Sequence, residues 1–324
     1  MKILANDGIS QSGKEKLKAA GFSVVTEKVE QDQLADAINN EGYVGLLVRS
    51  ATTVRKDLID QCPGLKLIGR GGVGMDNIDV EYAREKGLKV FNTPASSSQS
   101  VAELVMAQMF SLSRSLHDAN RQMPKTGAEE FKGLKKKYGK GTELRGKTLG
   151  IVGFGRIGRS LAQYALGCGM KVVAYDMYWN DKPVKFKIEG HGEIEVKVPF
   201  SEMDQLLENS DYISLHVPKQ DDGQAVIGAE QLKKIKRTAI LINASRGGVV
   251  DEDALLEAFE EDEVRYAALD VFENEPNPRK DLLTHDKISA TPHIGAATVE
   301  AQDRIGIELA DHIIETLGES VQQQ

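Results

Sequence analysis

The chain has 324 residues, 40% of them hydrophobic and 28% charged, with a formal charge of −8. That length allows two domains, and the acidic balance argues against a generic nucleic-acid surface while leaving room for a local cationic pocket. Two cysteines, Cys62 and Cys168, stand far apart without metal-type spacing, which argues against both a disulfide framework and a metal site.

The chain opens with a strand-like run, KILAN, and reaches Asn6 and Asp7 too soon for a signal peptide. No uninterrupted apolar run approaches about 18 residues, so no spanning helix is expected and the cytoplasm is the expected location. Further β-rich runs follow as FSVVT, YVGLLVRS, LKLIGR and LKVFN, separated by amphipathic stretches such as KEKLKAAG and DQLADAINN. Short strands alternating with helices predict an α/β protein with parallel sheets.

A long helix comes next. In SQSVAELVMAQMFSLSRSL the residues Val101, Leu104, Val105, Met109, Leu112 and Leu116 fall at helical spacing, and Ser100 with Glu103 reads as a capping box. The lysine-rich FKGLKKKYGK after it reads as a solvated loop. From Gly150 the alternation restarts with LGIVGFG, KVVAYD, DYISLHVP, TAILINAS, YAALDVF and ISATPHI, a second α/β set and so a second domain. Inserted in it, residues 184–198 alternate strictly around a glycine-bearing turn. This predicts a β-hairpin with Val184, Phe186 and Ile188 on one face, Lys185 and Lys187 on the other, and His191 exposed in the tip. The final helix carries Ile305, Leu309, Ile313 and Leu317 on one stripe, which predicts that the tail returns to pack on the first domain.

The second set carries the chemistry. Gly153, Gly155 and Gly158 form a G-x-G-x-x-G pattern after a strand run and at a helix start, and Asp176 ends the next strand. Those glycines serve a tight turn, close approach to a pyrophosphate and close helix–strand packing, while the helix N-terminus offers amides to the anion. Asp176 can accept hydrogen bonds from an adenosine ribose and would repel a 2′-phosphate. The following MYWN supplies no arginine, so NAD is expected rather than NADP. Later strand ends carry Arg246, Glu275 and His293. A 2-hydroxy acid needs these three types: an arginine fork for its carboxylate, a histidine to exchange the hydroxyl proton, and a carboxylate to orient that histidine and favour its charged form. Singly, each has a structural reading: Arg246 as a cap, Glu275 as a loop terminus, His293 as a core residue.

In this order, GFGRIG, NASRGG, DVFENEP and TPHIGA resemble the NAD-dependent D-2-hydroxyacid dehydrogenases, and the resemblance runs over nearly the whole chain. It implies two doubly wound parallel-sheet domains with an active-site cleft between them. One is a Rossmann-type cofactor domain at 94–293, the other a discontinuous flavodoxin-like substrate domain at 1–93 and 294–324. Arg246 would bind and polarise the substrate, His293 would be the acid/base and Glu275 its partner. Cofactor contacts are implied at Gly153, Gly155, Arg156, Ile157, Gly158, Asp176, Val217, Ala244, Ser245, Arg246, Asp270, His293, Gly295 and Ala296.

In the N-terminal half, LLVRSATTV, LIGRGGVGMDNID and NTPASSSQSVAELV are similar to the D-3-phosphoglycerate dehydrogenase branch of that family. This implies a substrate carboxylate on the N–H groups of Val73 and Gly74. It also implies a phosphate facing Arg49 (beside Ser50), Arg70 and, from a partner subunit, Arg121. A dianionic phosphate suits several arginines. Two departures stand out: ASSS replaces the usual Gly-Asn pair after NTP, and the chain ends at LGESVQQQ, without the expected length for a C-terminal regulatory domain. The function so implied is NAD-dependent oxidation of D-3-phosphoglycerate to 3-phosphooxypyruvate, the entry to serine biosynthesis, by a homodimer with no nucleic-acid, membrane or metal partner. The alternatives are a reductase for pyruvate, glyoxylate or hydroxypyruvate, and a nucleotide-sensing binding protein like the corepressors built on this fold.

Overall fold

The computed structural model describes residues 1–178, 183–220 and 222–322. Two compact units emerge: Met1–Ser100 with Ala296–Gln324, and Val101–Gly295. The division falls at 100/101 and 295/296, where the sequence places it at 93/94 and 293/294. Its cause is local. Ser96 bonds the Glu308 carboxylate, Arg304 Nε donates to the Ser96 carbonyl at 3.0 Å, and Ser100 Oγ lies 2.8 Å from Thr298 Oγ1. At the other end, the Ile294 and Gly295 amides bond Asp270 and so belong with the second unit.

In the first unit the chain runs β1 (Lys2–Ala5), α1 (Gln11–Ala19), β2 (Ser23–Val25), α2 (Leu34–Glu41), β3 (Tyr43–Val48), α3 (Lys56–Gln61), β4 (Leu67–Arg70), α4 (Val80–Glu85) and β5 (Lys89–Asn92). The strands form one parallel sheet in the order β2-β1-β3-β4-β5, the flavodoxin-like order. Strand periodicity sends alternate residues to opposite faces. Leu4, Leu46, Val48 and Ile68 pack under α2–α4 with Leu34, Ile38 and Leu58. Ile3, Ala5, Leu47 and Leu67 pack with Leu17 of α1 and with Ile305, Leu309, Ile313 and Leu317 of α13 (Val299–Gln322). The stripe on the last helix thus covers the second face of this sheet, and each fully buried leucine or isoleucine there contributes about 1.5–3 kcal/mol.

The second unit holds α5 (Ser98–Ser113) from Val101 onward, α6 (Leu116–Thr126), α7 (Phe131–Tyr138), β6 (Thr148–Val152), α8 (Arg156–Gly167), β7 (Lys171–Tyr175), β8 (Val184–Ile188), β9 (Gly192–Val196), α9 (Met203–Asn209), β10 (Tyr212–Leu215), α10 (Ala229–Leu232), β11 (Ile240–Asn243), α11 (Glu252–Glu260), β12 (Tyr266–Leu269), α12 (Lys280–Thr284) and β13 (Ile288–Ala290). Six strands form a parallel sheet in the order β13-β12-β11-β10-β6-β7. Beyond β7 a single parallel bridge, Ala174 to Phe200, occupies the edge where a Rossmann sheet has its third strand. The chain direction across the sheet reverses between β6 and β10, and ligands of such sheets bind outside the carboxyl ends at that point.

Three local expectations are corrected. Helix α5 starts at Ser98, so Ser100 is not its cap; Ser100 bonds Thr298, and Glu103 accepts from the Tyr164 hydroxyl at 2.6 Å. The long helix does not run through Leu116, because Ser115 turns left-handed (φ 50°) and α6 starts afresh. The lysine-rich stretch is helix rather than loop: Leu134 of α7 is buried, Lys135, Lys136 and Lys137 lie in the last turn where they complement the helix dipole, and Lys137 pairs with Asp118 at 2.8 Å. In the hairpin, Val184, Phe186 and Ile188 alternate with Lys185 and Lys187 as expected; Val184 and Phe186 join the core, and Ile188 near the tip is 40% exposed. His191 is exposed, as its place in the turn predicts.

Candidate active site

The glycine-rich turn lies at the end of β6, beside the end of β10. Gly153 has φ 90°, and a Cβ there would stand 2.5 Å from the His216 carbonyl oxygen and 2.8 Å from Val217 Cγ1. Only glycine allows that approach. Gly158 lies equally close to the Gly153 carbonyl, which seats α8 on the strand end. At Gly155 nothing lies within 4 Å of where a Cβ would be, and no side chain caps α8. An exposed, uncapped helix N-terminus beside open space suits a pyrophosphate. Arg156 is exposed there and Ile157 half-buried. Asp176, just past β7, accepts from the Phe154 amide at 2.7 Å and the Tyr178 amide at 2.8 Å. Its carboxylate is thus fixed against the turn, as a ribose-hydroxyl acceptor requires. Trp179 and Asn180 of the MYWN segment lie outside the described residues.

Arg246, Glu275 and His293 follow β11, β12 and β13, three adjacent strands. The Arg246 turn is held by Asn243, the last residue of β11. Asn243 Oδ1 accepts from the Ser245 amide and hydroxyl, and its Nδ2 donates to the Arg246 carbonyl at 2.9 Å. Arg246 Nη1 donates to the Ser245 carbonyl at 2.6 Å. Glu275 Oε1 accepts from the Phe272 amide at 3.0 Å, and its Oε2 lies 2.7 Å from His293 Nδ1. A carboxylate only accepts, so Nδ1 carries the proton and Nε2 takes no part in this bond. Burial pushes the Glu275 carboxyl up. The hydrogen bond and charge of His293, the Phe272 N–H and the Arg246 charge outweigh it and hold the carboxyl below the usual range. Glu275 therefore stays ionised beside the imidazole.

His293 adopts φ 53°, a left-handed conformation that costs an L-residue about 1–2 kcal/mol. Asp270, 4% exposed at the end of β12, offsets that strain. Its Oδ1 accepts from the Thr291 hydroxyl at 2.7 Å and the Ile294 amide at 2.9 Å, and its Oδ2 from the Gly295 amide at 2.8 Å. Ala244 and Val217 are half-buried and Ser245 and Gly295 buried at neighbouring strand ends; Ala296 begins the returning segment of the first unit.

In the first unit, Arg49 and Ser50 follow β3, Arg70 ends β4, and Val73 and Gly74 lie in the turn after it. The Arg49 amide donates to Asp7 Oδ2 at 2.6 Å, and Asn77 Nδ2 donates to the Arg49 carbonyl at 2.7 Å. Arg70 Nη1 donates to the Gly71 carbonyl at 3.3 Å and folds over Gly72, while Arg49 Cγ lies beside Gly71. Both arginine side chains therefore approach one glycine pair. Val73 is 37% exposed. Arg121, by contrast, is an exposed residue of α6 in the other unit.

Sequence reasoning missed Asn243 and Glu252. Asn243 had a signal, an Asn two residues before Ser245 at a strand end, which is the pattern of a side chain closing its own turn. Glu252 had none, since an acid in a helix's first turn ordinarily faces solvent. Here it is 5% exposed, and burial pushes its carboxyl up against the pull of a 2.9 Å bond from the Glu273 amide. Among the described residues, no cluster of His, Cys, Asp and Glu is arranged to hold a metal, and no helix is long and apolar enough to cross a membrane.

Residues 106–295 match the family described as D-isomer specific 2-hydroxyacid dehydrogenase, NAD binding domain. Over 321 residues the chain is 42% identical to a hydroxypyruvate reductase of Thermotoga maritima, covering 98% of each chain. It is 39% identical over 317 residues to a D-3-phosphoglycerate dehydrogenase of Methanocaldococcus jannaschii, covering 98% of this chain and 57% of that one. The chain thus spans little more than half the length of that relative. The solved D-lactate dehydrogenase of Aquifex aeolicus, complexed with NAD and lactic acid, matches with a TM-score of 0.77 at 28% identity, over 100% of this chain and 97% of that one.

Proposed function

The chain belongs to the D-isomer specific 2-hydroxyacid dehydrogenases, enzymes that use NAD, and we propose that its substrate is D-3-phosphoglycerate. The carrying observation is that Arg49 and Arg70 both approach one loop, Arg49 Cγ beside Gly71 and the Arg70 guanidinium over Gly72. Two guanidinium groups at one loop suit a dianionic phosphate, and a planar fork binds it bidentately. In this reading the amides of Val73 and Gly74 hold the carboxylate, and Ser50 adds a hydroxyl.

The residues that would hold NAD are the Gly153–Gly158 turn for the pyrophosphate and Asp176 for the ribose, flanked by Val217, Ala244, Ser245, Gly295 and Ala296. When bound, NAD supplies the acceptor for the hydride that leaves C2. Arg246 grips the substrate carboxylate and polarises the oxygen at C2. His293 takes the hydroxyl proton on Nε2 as that oxygen becomes a carbonyl, and returns it in reduction. Glu275 balances the imidazolium and keeps the ring in the orientation that presents Nε2. Asp176 repels a 2′-phosphate, which favours NAD over NADP.

A second reading, reduction of hydroxypyruvate, is favoured by the Thermotoga maritima relative, which matches along nearly its whole length. Nicotinamide absorbance during turnover separates the two. The proposal expects kcat/KM for D-3-phosphoglycerate to exceed that for D-glycerate with NAD; the reverse order, or preference for lactate, contradicts it. No turnover with any small hydroxy acid, alongside tight NADH binding, would instead favour a nucleotide sensor. The proposal extends to a cytoplasmic homodimer at the entry to serine biosynthesis. Phe110, Leu116, Met123 and Phe131, 44–58% exposed on α5–α7, offer an apolar face for a second copy, from which Arg121 would reach the partner's substrate.

A further inference from the structure

We propose that Glu252 is a positioning residue for the acid/base pair, fixing the peptide that presents Glu275 to His293. This rests on the dehydrogenase reading above and deepens it, by naming a residue that sets the geometry of the proton carrier without touching substrate or cofactor.

Glu252 opens α11, six residues after Arg246, but it has no part in capping that helix. Asp251 is the cap, accepting from the Ala254 amide at 3.0 Å. The other first-turn acid, Asp253, points outward to Arg279. Glu252 turns inward instead and bonds the Glu273 amide, 21 residues on. A carboxylate is costly to bury, so an inward one needs a partner it can hold firmly.

The peptide that Glu252 grips joins Phe272 to Glu273, and it is pressed from a second side. A Cβ on Gly247 would lie 1.9 Å from the Phe272 carbonyl oxygen and 2.8 Å from the Glu273 nitrogen. The segment carrying Arg246 therefore clamps this peptide twice, once by backbone contact at Gly247 and once by the Glu252 carboxylate. The preceding amide, that of Phe272, donates to Glu275 Oε1, and Glu275 Oε2 meets His293 Nδ1. The chain of contacts is continuous: Glu252 fixes the 272–273 peptide, that peptide aims the Phe272 N–H, and the N–H holds Glu275 against the imidazole. Released at Glu252, the segment keeps its fold but loses the fixed angle of that N–H. Displacements of about 1 Å in such a shell can cost about a hundredfold in rate.

The test uses the full chain and whichever 2-hydroxy acid the wild-type protein oxidises with NAD; absence of any wild-type turnover would count against the dehydrogenase reading and not against Glu252. Glu252→Met keeps the buried volume and removes the acceptor, and Glu252→Gln keeps an acceptor oxygen. We expect Glu252→Met to lower kcat about 10- to 100-fold with KM little changed, and Glu252→Gln to restore most of it. The pH profile of kcat/KM for Glu252→Met should shift in the same direction as that of Glu275→Ala. Most directly, Glu252→Met should cost less than about twofold when Glu275 is already alanine, since coupled residues are not additive. The same loss with and without Glu275, or a lowered melting temperature with kcat intact, would make Glu252 a purely structural group and overturn the proposal. If Glu252→Met does not fold, Glu252→Ala, which also removes the acceptor, takes its place in the same cycle: a loss that persists in full without Glu275 overturns the proposal.

Discussion

The carboxyl ends of the two sheets are built in different ways. After β11–β13 the functional side chains act on one another: Glu275 bonds His293, and the Arg246 charge helps hold Glu275 ionised. After β3 and β4, Arg49 and Arg70 are each secured separately, one through its backbone to Asp7 and Asn77, the other by folding onto Gly71. The first arrangement is a mutually held set of side chains, whose geometry suits proton transfer. The second is a pair of charged side chains at strand ends, to which the proposed function gives the choice of substrate. In the proposed function, the first sets the reaction class and the second the discrimination among hydroxy acids.

Breaking the first arrangement should have the larger consequences. His293→Ala removes the proton carrier and is expected to cut kcat by about 10²–10⁴-fold while NADH titration gives an unchanged Kd; near-normal turnover would assign the proton to another group. Replacing Arg246 by Lys loses the planar fork. Because charged hydrogen bonds contribute about 1.5–3 kcal/mol, kcat/KM should fall about ten- to a hundredfold, and equal turnover would remove Arg246 from substrate binding. Asp176→Ser should raise kcat/KM with NADP relative to NAD, and an unchanged ratio would detach Asp176 from cofactor choice.

The smallest effect concerns stability. His216, at the end of β10, bonds Ser214 through Nε2 while its Nδ1 is buried without a partner, and burial lowers its pKa from 6.5 to about 4. The unfolded chain then takes up this proton before the folded one does. Stability should fall as pH drops from 6.5 toward 4 and be insensitive to this group above that range. The urea midpoint of the wild type should drop more between pH 7 and pH 5 than that of His216→Gln; equal drops would show that the imidazole is solvated in the native state. Glu275 acts in the same sense at lower pH: its depressed pKa supplies stability above the ordinary carboxylate range that is lost as pH falls through the native value.

Much of this was legible in the residues because the signals were local. The strand runs, the stripe Ile305–Leu309–Ile313–Leu317 and the turn Gly153–Gly158 each follow from periodicity or from backbone sterics within a few positions. The reading failed where the deciding partner is distant in sequence. Ser100 looked like a cap because nothing nearby announces Thr298. Glu252 was invisible for the same reason: its partner lies 21 residues on, and its local context, an acid in a helix's first turn, points the other way. The arginines show the opposite limit. Their identity is plain in the sequence, but what they select depends on the substrate they meet.

The contrast between the two ends is tested most directly by the ratio of kcat/KM for D-3-phosphoglycerate to that for D-glycerate, measured with NAD in the wild type and in the Arg49→Gln, Arg70→Gln double variant. If those arginines choose the substrate and the groups after β11–β13 perform the reaction, the ratio should fall about a hundredfold or more, with the activity on D-glycerate falling far less. Equal losses on both substrates would contradict the account, placing Arg49 and Arg70 in the structure of the strand ends rather than in recognition of the phosphate.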